Sequence, residues 1–110
     1  MNPVQRKAII QEFETYLKSK GYEIQKEVLI SKVFASTRKF RFDYVLTDKF
    51  KDVTIVEING GQWVNGRHNR GGSGYENDLT KLNLCALNHI PVFQFTYEML
   101  AGLEYKQCIK

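Results

Sequence analysis

Apolar residues recur at helical spacing over the first twenty positions of the chain. Asn2 precedes Pro3, which places a capping residue before the residue type preferred at the first helical position. One face of the segment is apolar and carries Ile9, Ile10, Phe13, Tyr16 and Leu17. The pattern predicts an amphipathic helix that ends at Gly21.

Three segments with the character of β-strands follow, at residues 22–30, 39–46 and 53–59. Strict alternation in the second segment predicts one face with Phe40, Phe42, Tyr44 and Leu46, and an opposite face with Lys39, Arg41 and Asp43. The third segment is apolar at successive positions until its last residues, which is typical of a central strand. Residues 47–51 between them are mostly polar and predict a short turn.

The second half of the chain begins with a glycine-rich stretch, residues 60–74, which predicts a long polar loop. Ser73 and Glu76 form a capping-box pattern and predict a helix that ends near Asn88. Its apolar side is predicted to carry Tyr75, Leu79, Leu82 and Ala86. Residues 91–95 predict a strand, and Thr96 is placed to cap a last helix with Met99 and Leu100.

The predicted order is therefore helix, three strands, helix, strand and helix. Short connections favour an antiparallel meander for the first three strands, and the crossover helix favours a fourth strand parallel to the third. The predicted fold class is α/β, with a mixed four-stranded sheet flanked by helices, in a single domain of residues 1–110.

Composition narrows the class of protein without identifying a function. The chain has 110 residues, of which 43% are hydrophobic and 25% charged, so a disordered chain and a large multidomain protein are excluded. The net charge of +4 makes a polyanion a plausible partner. Apolar runs are far shorter than the roughly 20 residues that cross a bilayer. Two cysteines without a CxxC spacing, and no signal-peptide pattern, favour a soluble protein of the reducing cytoplasm.

The most informative polar residues are Asp43 on one predicted strand and Glu57 with Asn59 on the next. Side chains two apart in a strand project from the same face, and neighbouring antiparallel strands bring opposite side chains within about 5 Å. Two carboxylates at that spacing suit Mg²⁺, which prefers oxygen ligands and keeps several waters. A bound ion of this kind activates water for phosphodiester hydrolysis. Spacing alone equally allows Asp43 to pair with Arg41 or a lysine, with Glu57 at a strand end.

These residues resemble the PD-(D/E)XK nuclease superfamily, in particular its small phage-type endonucleases and Holliday-junction-resolvase-like members. The similarity covers most of the chain and includes Phe42-Asp43, the run 57–63 from Glu57 to Trp63, the run 66–71, and Tyr75-Glu76-Asn77-Asp78 with Lys81. It implies the restriction-endonuclease-like αβββαβ core. It also implies that Asp43, Glu57 and the carbonyl of Ile58 hold Mg²⁺, with Mn²⁺ as a substitute.

Asn59 stands where this superfamily usually has a catalytic lysine, and an asparagine does not supply the positive charge. Some branches place the lysine on the following helix, and Lys81 is the leading candidate there, with Gln62 as an alternative that would hold water. A solvated surface lysine is the competing interpretation of Lys81. Resolvase-like members also carry a glutamate on the first helix, for which we favour Glu12 over Glu14.

The glycine-rich stretch is a candidate DNA-binding loop because arginines and backbone amides beside a metal site bind phosphates. Arg67, His68 and Arg70 are the residues expected to bind the DNA backbone, with Gln62 nearby. Trp63 would stack on a base or anchor the loop on the fold. A surface loop without function is the alternative.

The expected function is that of a Mg²⁺-dependent endodeoxyribonuclease, with branched DNA as one candidate substrate, in a bacterial or phage-infected cytoplasm. Leu84 and Leu87 fall off the predicted apolar stripe and suggest a homodimer, unless the last helix buries them. A non-catalytic DNA-binding module of the same fold is the alternative, because of Asn59. A third interpretation is a basic adaptor that binds a protein through the two leucines.

Overall fold

The structure, a computed structural model of the chain, describes residues 1–59 and 76–110 completely and only the backbone of 63–64, 67–68 and 71–75. The helices are α1 (Pro3–Ser19), α2 (Gly71–Leu87), α3 (Tyr97–Ala101) and α4 (Tyr105–Cys108), with a 3₁₀ turn at Ile30–Lys32. The strands are β1 (Glu23–Leu29), β2 (Arg41–Thr47), β3 (Val53–Ile58), β4 (Trp63–Val64), β5 (Arg67–His68) and β6 (Val92–Phe95).

Side-chain caps fix the starts of two helices where the sequence predicts them. The Asn2 carboxamide oxygen accepts a hydrogen bond from Gln5 N at 2.8 Å, and Gln5 Oε1 accepts one from Asn2 N at 2.9 Å. Thr96 Oγ1 accepts from Met99 N at 3.1 Å at the start of α3. These bonds satisfy backbone N–H groups that lack partners within the first turn.

The main sheet has the strand order β1-β2-β3-β6. The first three strands pair antiparallel, and β3 pairs parallel with β6, with Ile58 opposite Phe95. The predicted meander and the parallel return strand are both confirmed. The chain is thus a mixed α/β fold with a four-stranded mixed sheet flanked by helices.

Alternate residues of the strands pack into two separate cores on the two faces of the sheet. The α1-side core consists of Phe13, Leu17, Tyr44, Leu46, Val56, Phe95, Leu100, Tyr105 and Ile109. The α2-side core consists of Ile30, Phe34, Phe42, Val45, Ile55 and Cys85. The last two helices therefore pack on the same face as α1.

The predicted face of β2 is wrong at its first half. Phe42 lies in the α2-side core with Val45, whereas Tyr44 lies in the α1-side core, so strict alternation fails between Phe42 and Tyr44. The change of faces coincides with an irregularity on the neighbouring strand, where Glu27 has a φ of 53° in the left-handed region that non-glycine residues seldom adopt. Asp43, which lies opposite Glu27, therefore lines a cavity with Tyr44 instead of pointing away from it.

The predicted apolar stripe of α2 is wrong at Leu79 and Ala86, which are exposed, whereas Leu82 is half-buried and the side chain of Tyr75 lies outside the described residues. Among the described side chains of the helix, the buried one is Cys85. Leu84 packs against the α2-side core, while Leu87 is 76% exposed, so the two leucines do not form one exposed pair. The stripe fails because polar residues occupy part of the inward face of α2, as shown below for Lys81.

Three further details differ from the sequence prediction. The helix α2 begins at Gly71, two residues before the predicted cap at Ser73. The stretch expected to be a loop contains the antiparallel pair β4–β5. The helix α4 was not predicted. Among the described residues, none of the helices has the length and apolar content needed to span a membrane.

Candidate functional site

Asp43 lies at a position where pairing is interrupted on both sides of β2. Toward β1, Lys26 pairs with Tyr44 and Val28 pairs with Phe42, but Glu27 and Asp43 between them do not pair. Toward β3, the pairing ends at Tyr44 opposite Val56, one step before Asp43 would face Glu57. The backbone around Asp43 is therefore available for side-chain contacts.

The side chains of Asp43 and Glu57 take the place of the missing ladder bonds. Glu57 Oε2 accepts a hydrogen bond from Asp43 N at 2.8 Å. Asp43 Oδ2 accepts one from Ile58 N at 2.7 Å. Each carboxylate thus binds the backbone of the opposite strand, and such bonds to ionised acceptors are the stronger kind. The two acidic residues predicted from the sequence are brought together where β2 begins and β3 ends.

Lys81 reaches this point from α2. Its Nζ lies 2.8 Å from Glu57 Oε1 and also donates to the carbonyl oxygen of Arg41. The side chains of Lys81 and Glu57 are only 14% and 13% exposed. The rings of Phe40 and Phe42 each have their centres 5.6 Å from the ammonium group. Lys81 is therefore not a solvated surface lysine, which was the competing interpretation.

Burial dominates the electrostatics of Glu57. Desolvation raises the pKa of its carboxyl group, the Lys81 ammonium and the Asp43 N–H oppose this rise, and the nearby Asp43 charge adds to it. Burial also raises the pKa of the Cys85 thiol to about 11, with a further contribution from the Glu57 charge. The thiol is thus neutral and contributes packing to this face.

Asn59 is held at the edge of the same site. Its backbone N donates to Phe95 O at 2.8 Å, and its side-chain amide donates to Gln94 Oε1 on β6. A cavity of about 10 Å³, room for a single water, is lined by Phe42, Glu57, Asn59, Asp78, Lys81, Leu82, Val92 and Gln94. Asn59 and Lys81 thus line the same cavity.

Asp43 lines a different and larger cavity on the α1 side of the sheet. Its volume is about 250 Å³, and its lining consists of Ile10, Lys26, Glu27, Asp43, Tyr44, Ile58 and Tyr97. Ile58 thus accompanies Asp43, whereas Glu57 faces Lys81. A hydrated ion has room beside Asp43 but not in the cavity beside Lys81.

The glutamate of α1 that faces this part of the sheet is Glu14. Its Oε2 accepts from the Tyr44 hydroxyl at 2.7 Å and lies 3.0 Å from Lys26 Nζ. Glu12, the residue favoured from the sequence, is exposed and acts electrostatically on Tyr105 instead. Burial, with the hydrogen bond to Glu14, raises the pKa of the Tyr44 phenol. Glu12 is therefore not placed beside Asp43 or Glu57.

The donor set of Asp43 and Glu57 fits Mg²⁺ through its chemistry, because the ion is commonly held by one or two carboxylates with waters and substrate phosphates. In the part of the chain described, Asp43 Oδ2 and both oxygens of Glu57 have hydrogen-bond or ion-pair partners, and Asp43 Oδ1 does not. Within that part, no group of three or more acidic, histidine or cysteine side chains forms a ready-made cage.

The predicted DNA-binding residues fall in the stretch of which least is described. Gln62 and Arg70 lie outside the described residues. Only the backbone of Trp63, Arg67 and His68 is described, in the pair β4–β5, where Trp63 is opposite His68. Their assignment to DNA therefore stays a prediction from the sequence.

Sequence reasoning missed three partners of the site. Gln94 could have been found as the one polar residue inside an otherwise apolar strand, which is parallel to β3. Tyr44 was assigned only to an apolar face, although its hydroxyl requires a partner when buried. Arg41 gave no signal, because its contact with Lys81 is made by its backbone carbonyl.

Comparisons with protein-family models, with curated proteins and with solved structures each found no match. The assignment of a function therefore depends on the geometry of the site and on the sequence motifs.

Proposed function

We propose that the protein is a divalent-metal-dependent endonuclease with a restriction-endonuclease-like αβββαβ core that hydrolyses phosphodiester bonds in DNA. One observation carries the proposal. Glu57 is bonded both to the backbone of Asp43 and to the ammonium group of Lys81, so three residues far apart in the sequence meet at one place. These are the residues expected from the resemblance to PD-(D/E)XK nucleases.

Asp43 and Glu57 would hold the ion, with the carbonyl of Ile58 as a further ligand. When bound, Mg²⁺ would polarise the scissile phosphate and lower the pKa of a water molecule. Lys81 supplies the positive charge that Asn59 lacks, and its contact with Glu57 places that charge beside the proposed ligands. Asn59 and Gln94 would orient polar groups at the rim, because their amides have both donors and acceptors.

The roles of the two carboxylates predict a clear loss of cleavage in Asp43→Asn and Glu57→Gln. Each change removes a charge that binds the ion, and we expect the cleavage rate to fall at least about 100-fold, since the metal supplies several kcal/mol of transition-state stabilisation. The measurement is cleavage of linear, branched and single-stranded DNA with Mg²⁺ or Mn²⁺. Asp52→Asn and Glu23→Gln are matched controls. Both residues are exposed, and they lie near Thr47 at the end of β2 away from Asp43.

If the wild-type protein leaves all three DNA forms uncut with either ion, the enzyme proposal is wrong. Equal losses in the control variants would also contradict it, because they would assign the effect to net charge. Lys81→Met should lower the maximal rate more than it lowers DNA affinity, since Lys81 is proposed to act on the reaction and not on the phosphate backbone.

A non-catalytic DNA-binding module is the second candidate. The observation that favours it is that Asp43 and Glu57 line different cavities, with Glu57 already paired to Lys81. Such a module would bind DNA with or without divalent ions. It would keep its affinity in Glu57→Gln, and there would be no cleavage to lose.

A further inference from the structure

Four cationic side chains lie close together in the sequence between the end of β1 and the start of β2. Lys32, Arg38, Lys39 and Arg41 are all exposed, and we call them the basic strip. Among the described residues, the ion pairs Lys26–Glu14 and Lys81–Glu57 involve none of the four. Their charges are thus available to a ligand in solvent.

The basic strip is fastened directly to the candidate site. The carbonyl oxygen of Arg41 accepts a hydrogen bond from Lys81, which pairs with Glu57. Arg41 Nη1 donates to the carbonyl oxygen of Glu27 at 3.0 Å, across to β1. Phe40 lies between Lys39 and Arg41 in the sequence, and its ring lies beneath the Lys81 ammonium group. Arg41 therefore joins the strip to the candidate site.

An open groove continues from the strip along β1, the edge strand of the sheet. Its volume is about 680 Å³, and it is lined by Gln25, Lys26, Glu27, Val28, Leu29, Lys32 and Arg41. Three of these residues are cations and one is a carboxylate, while Lys26 is partly neutralised by Glu14. The excess of positive charge along a strand edge fits a linear polyanion better than a compact one.

We propose that the basic strip and this groove bind the sugar–phosphate backbone of duplex DNA and deliver it to the candidate site. The inference rests on the proposed function, and it adds a second contact surface to the loop predicted at residues 62–70. Lys and Arg that neutralise phosphates release condensed counterions, and each contact changes the slope of log K against log salt by about 0.9. DNA is favoured over an acidic protein because Arg41 connects the strip to the Lys81–Glu57 pair, where the proposed hydrolysis takes place.

The double variant Arg38→Glu/Lys39→Glu tests the proposal against the matched control Lys49→Glu/Lys51→Glu. Both variants change the net charge equally. The control residues are exposed in the turn between β2 and β3, about 20 Å from the strip at roughly 3.3 Å per residue of β2. Both are made in the Glu57→Gln background with EDTA, so that binding is measured without cleavage. The probe is a fluorescent duplex of about 20 base pairs, followed by anisotropy from 50 to 200 mM salt.

We expect the strip variant to bind at least about tenfold more weakly at 100 mM salt, with a salt slope shallower by about two. The control should lose less than about threefold and keep its slope. Arg38→Ala/Lys39→Ala should show the same change of slope with a smaller loss of affinity. This variant serves as the test if thermal unfolding shows that the double glutamate variant is misfolded.

Equal losses in the strip and control variants would overturn the inference, because net charge alone would then explain binding. An unchanged strip variant would overturn it while leaving the proposed function standing. Displacement of the duplex by poly-L-glutamate as effectively as by unlabelled DNA of equal charge would overturn the choice of DNA. No binding of DNA by the parent Glu57→Gln protein at 50 mM salt would overturn both the inference and the proposed function.

Discussion

The two faces of the sheet are built from the same strands but have different chemical character. On the α1 side, the Phe13 ring packs edge-on against Tyr105, Tyr44 and Phe95, with ring centres 4.9, 5.6 and 6.2 Å away. Residues of α1, α3 and α4 complete this core. Edge-to-face aromatic pairs add about 0.5–1.5 kcal/mol each beyond their buried area. The centre of this face is an aromatic core, and the cavity beside Asp43 lies at its edge.

On the α2 side, the apolar core is smaller and a charged pair interrupts it. Lys81 and Glu57 are largely shielded from solvent but more exposed than the apolar residues of this core, and the pKa of Glu57 is raised because burial disfavours its charge. Desolvating such a pair costs free energy that a well-packed apolar pair would not. The comparison teaches that polar groups are kept here despite their cost, which is the pattern expected at a site that reacts or binds.

The largest difference between the two faces should appear when one phenylalanine is removed from each. Phe13 is fully buried, and Phe13→Ala should lower the free energy of unfolding by about 4 kcal/mol, because it leaves a cavity among three rings. Phe34 is 8% exposed at the rim of the α2-side core, and Phe34→Ala should cost about 2–3 kcal/mol. Urea unfolding measures both values.

Phe50→Ala provides the control for this comparison. Phe50 is 72% exposed, so its truncation should change the stability by less than about 0.5 kcal/mol. If Phe34→Ala costs as much as Phe13→Ala, the two cores contribute equally and the contrast between the faces is wrong.

The charged pair offers the next largest effect. Lys81→Met keeps the aliphatic stem but leaves Glu57 buried without a cation, and we expect a loss of about 2–3 kcal/mol at pH 8 in EDTA. The pKa of Glu57, already raised, rises further. A carboxyl group whose folded pKa exceeds its unfolded value weakens the fold as the pH rises through that window. The deficit of Lys81→Met should therefore be small near pH 4 and complete at pH 8.

The second half of this test is the double variant Lys81→Met/Glu57→Gln. It removes both charges, and its stability should return to within about 1 kcal/mol of the wild type. Lys26→Met is the control, because Lys26 is 54% exposed in its ion pair and should contribute less than about 1 kcal/mol. A double variant as unstable as Lys81→Met alone would show that Lys81 acts through packing and not through its charge on Glu57.

The sequence was sufficient for the order and pairing of the main elements because local signals were strong there. Asn2 and Thr96 made the predicted caps, and the short connections correctly indicated the meander. Strand spacing placed Asp43 near Glu57, the resemblance to PD-(D/E)XK nucleases singled out Lys81, and the structure brings these three residues together. The chemistry assigned to them stays a proposal.

The errors arose where tertiary contacts override local periodicity. Alternation along β2 did not indicate that the faces change between Phe42 and Tyr44, where Glu27 on the neighbouring strand takes a positive φ. The apolar stripe of α2 was misplaced because its inward face includes Lys81, whose partner Glu57 is 24 residues away in the sequence. Hydrophobic patterns identify a core face only where that face is apolar.

The smallest predicted effect concerns Glu14, a carboxylate at the rim of the α1-side core that bonds both Tyr44 and Lys26. Burial raises the pKa of Glu14, but hydrogen bonds from Tyr44 and Lys26 outweigh it, so the pKa is lowered overall. A carboxyl group with a lowered folded pKa stabilises the protein above its unfolded value and loses that contribution as the pH falls. Glu14→Gln should therefore cost about 1 kcal/mol at pH 7 and almost nothing near pH 3, as measured by urea unfolding.

The control is Glu12→Gln, at an exposed position of the same helix, which should change the stability by less than about 0.3 kcal/mol at either pH. If the loss in Glu14→Gln is equal at both pH values, side-chain packing and not charge holds α1 against Tyr44. The surroundings of Glu14 would then resemble the apolar core behind it more than the charged Lys81–Glu57 pair on the opposite face.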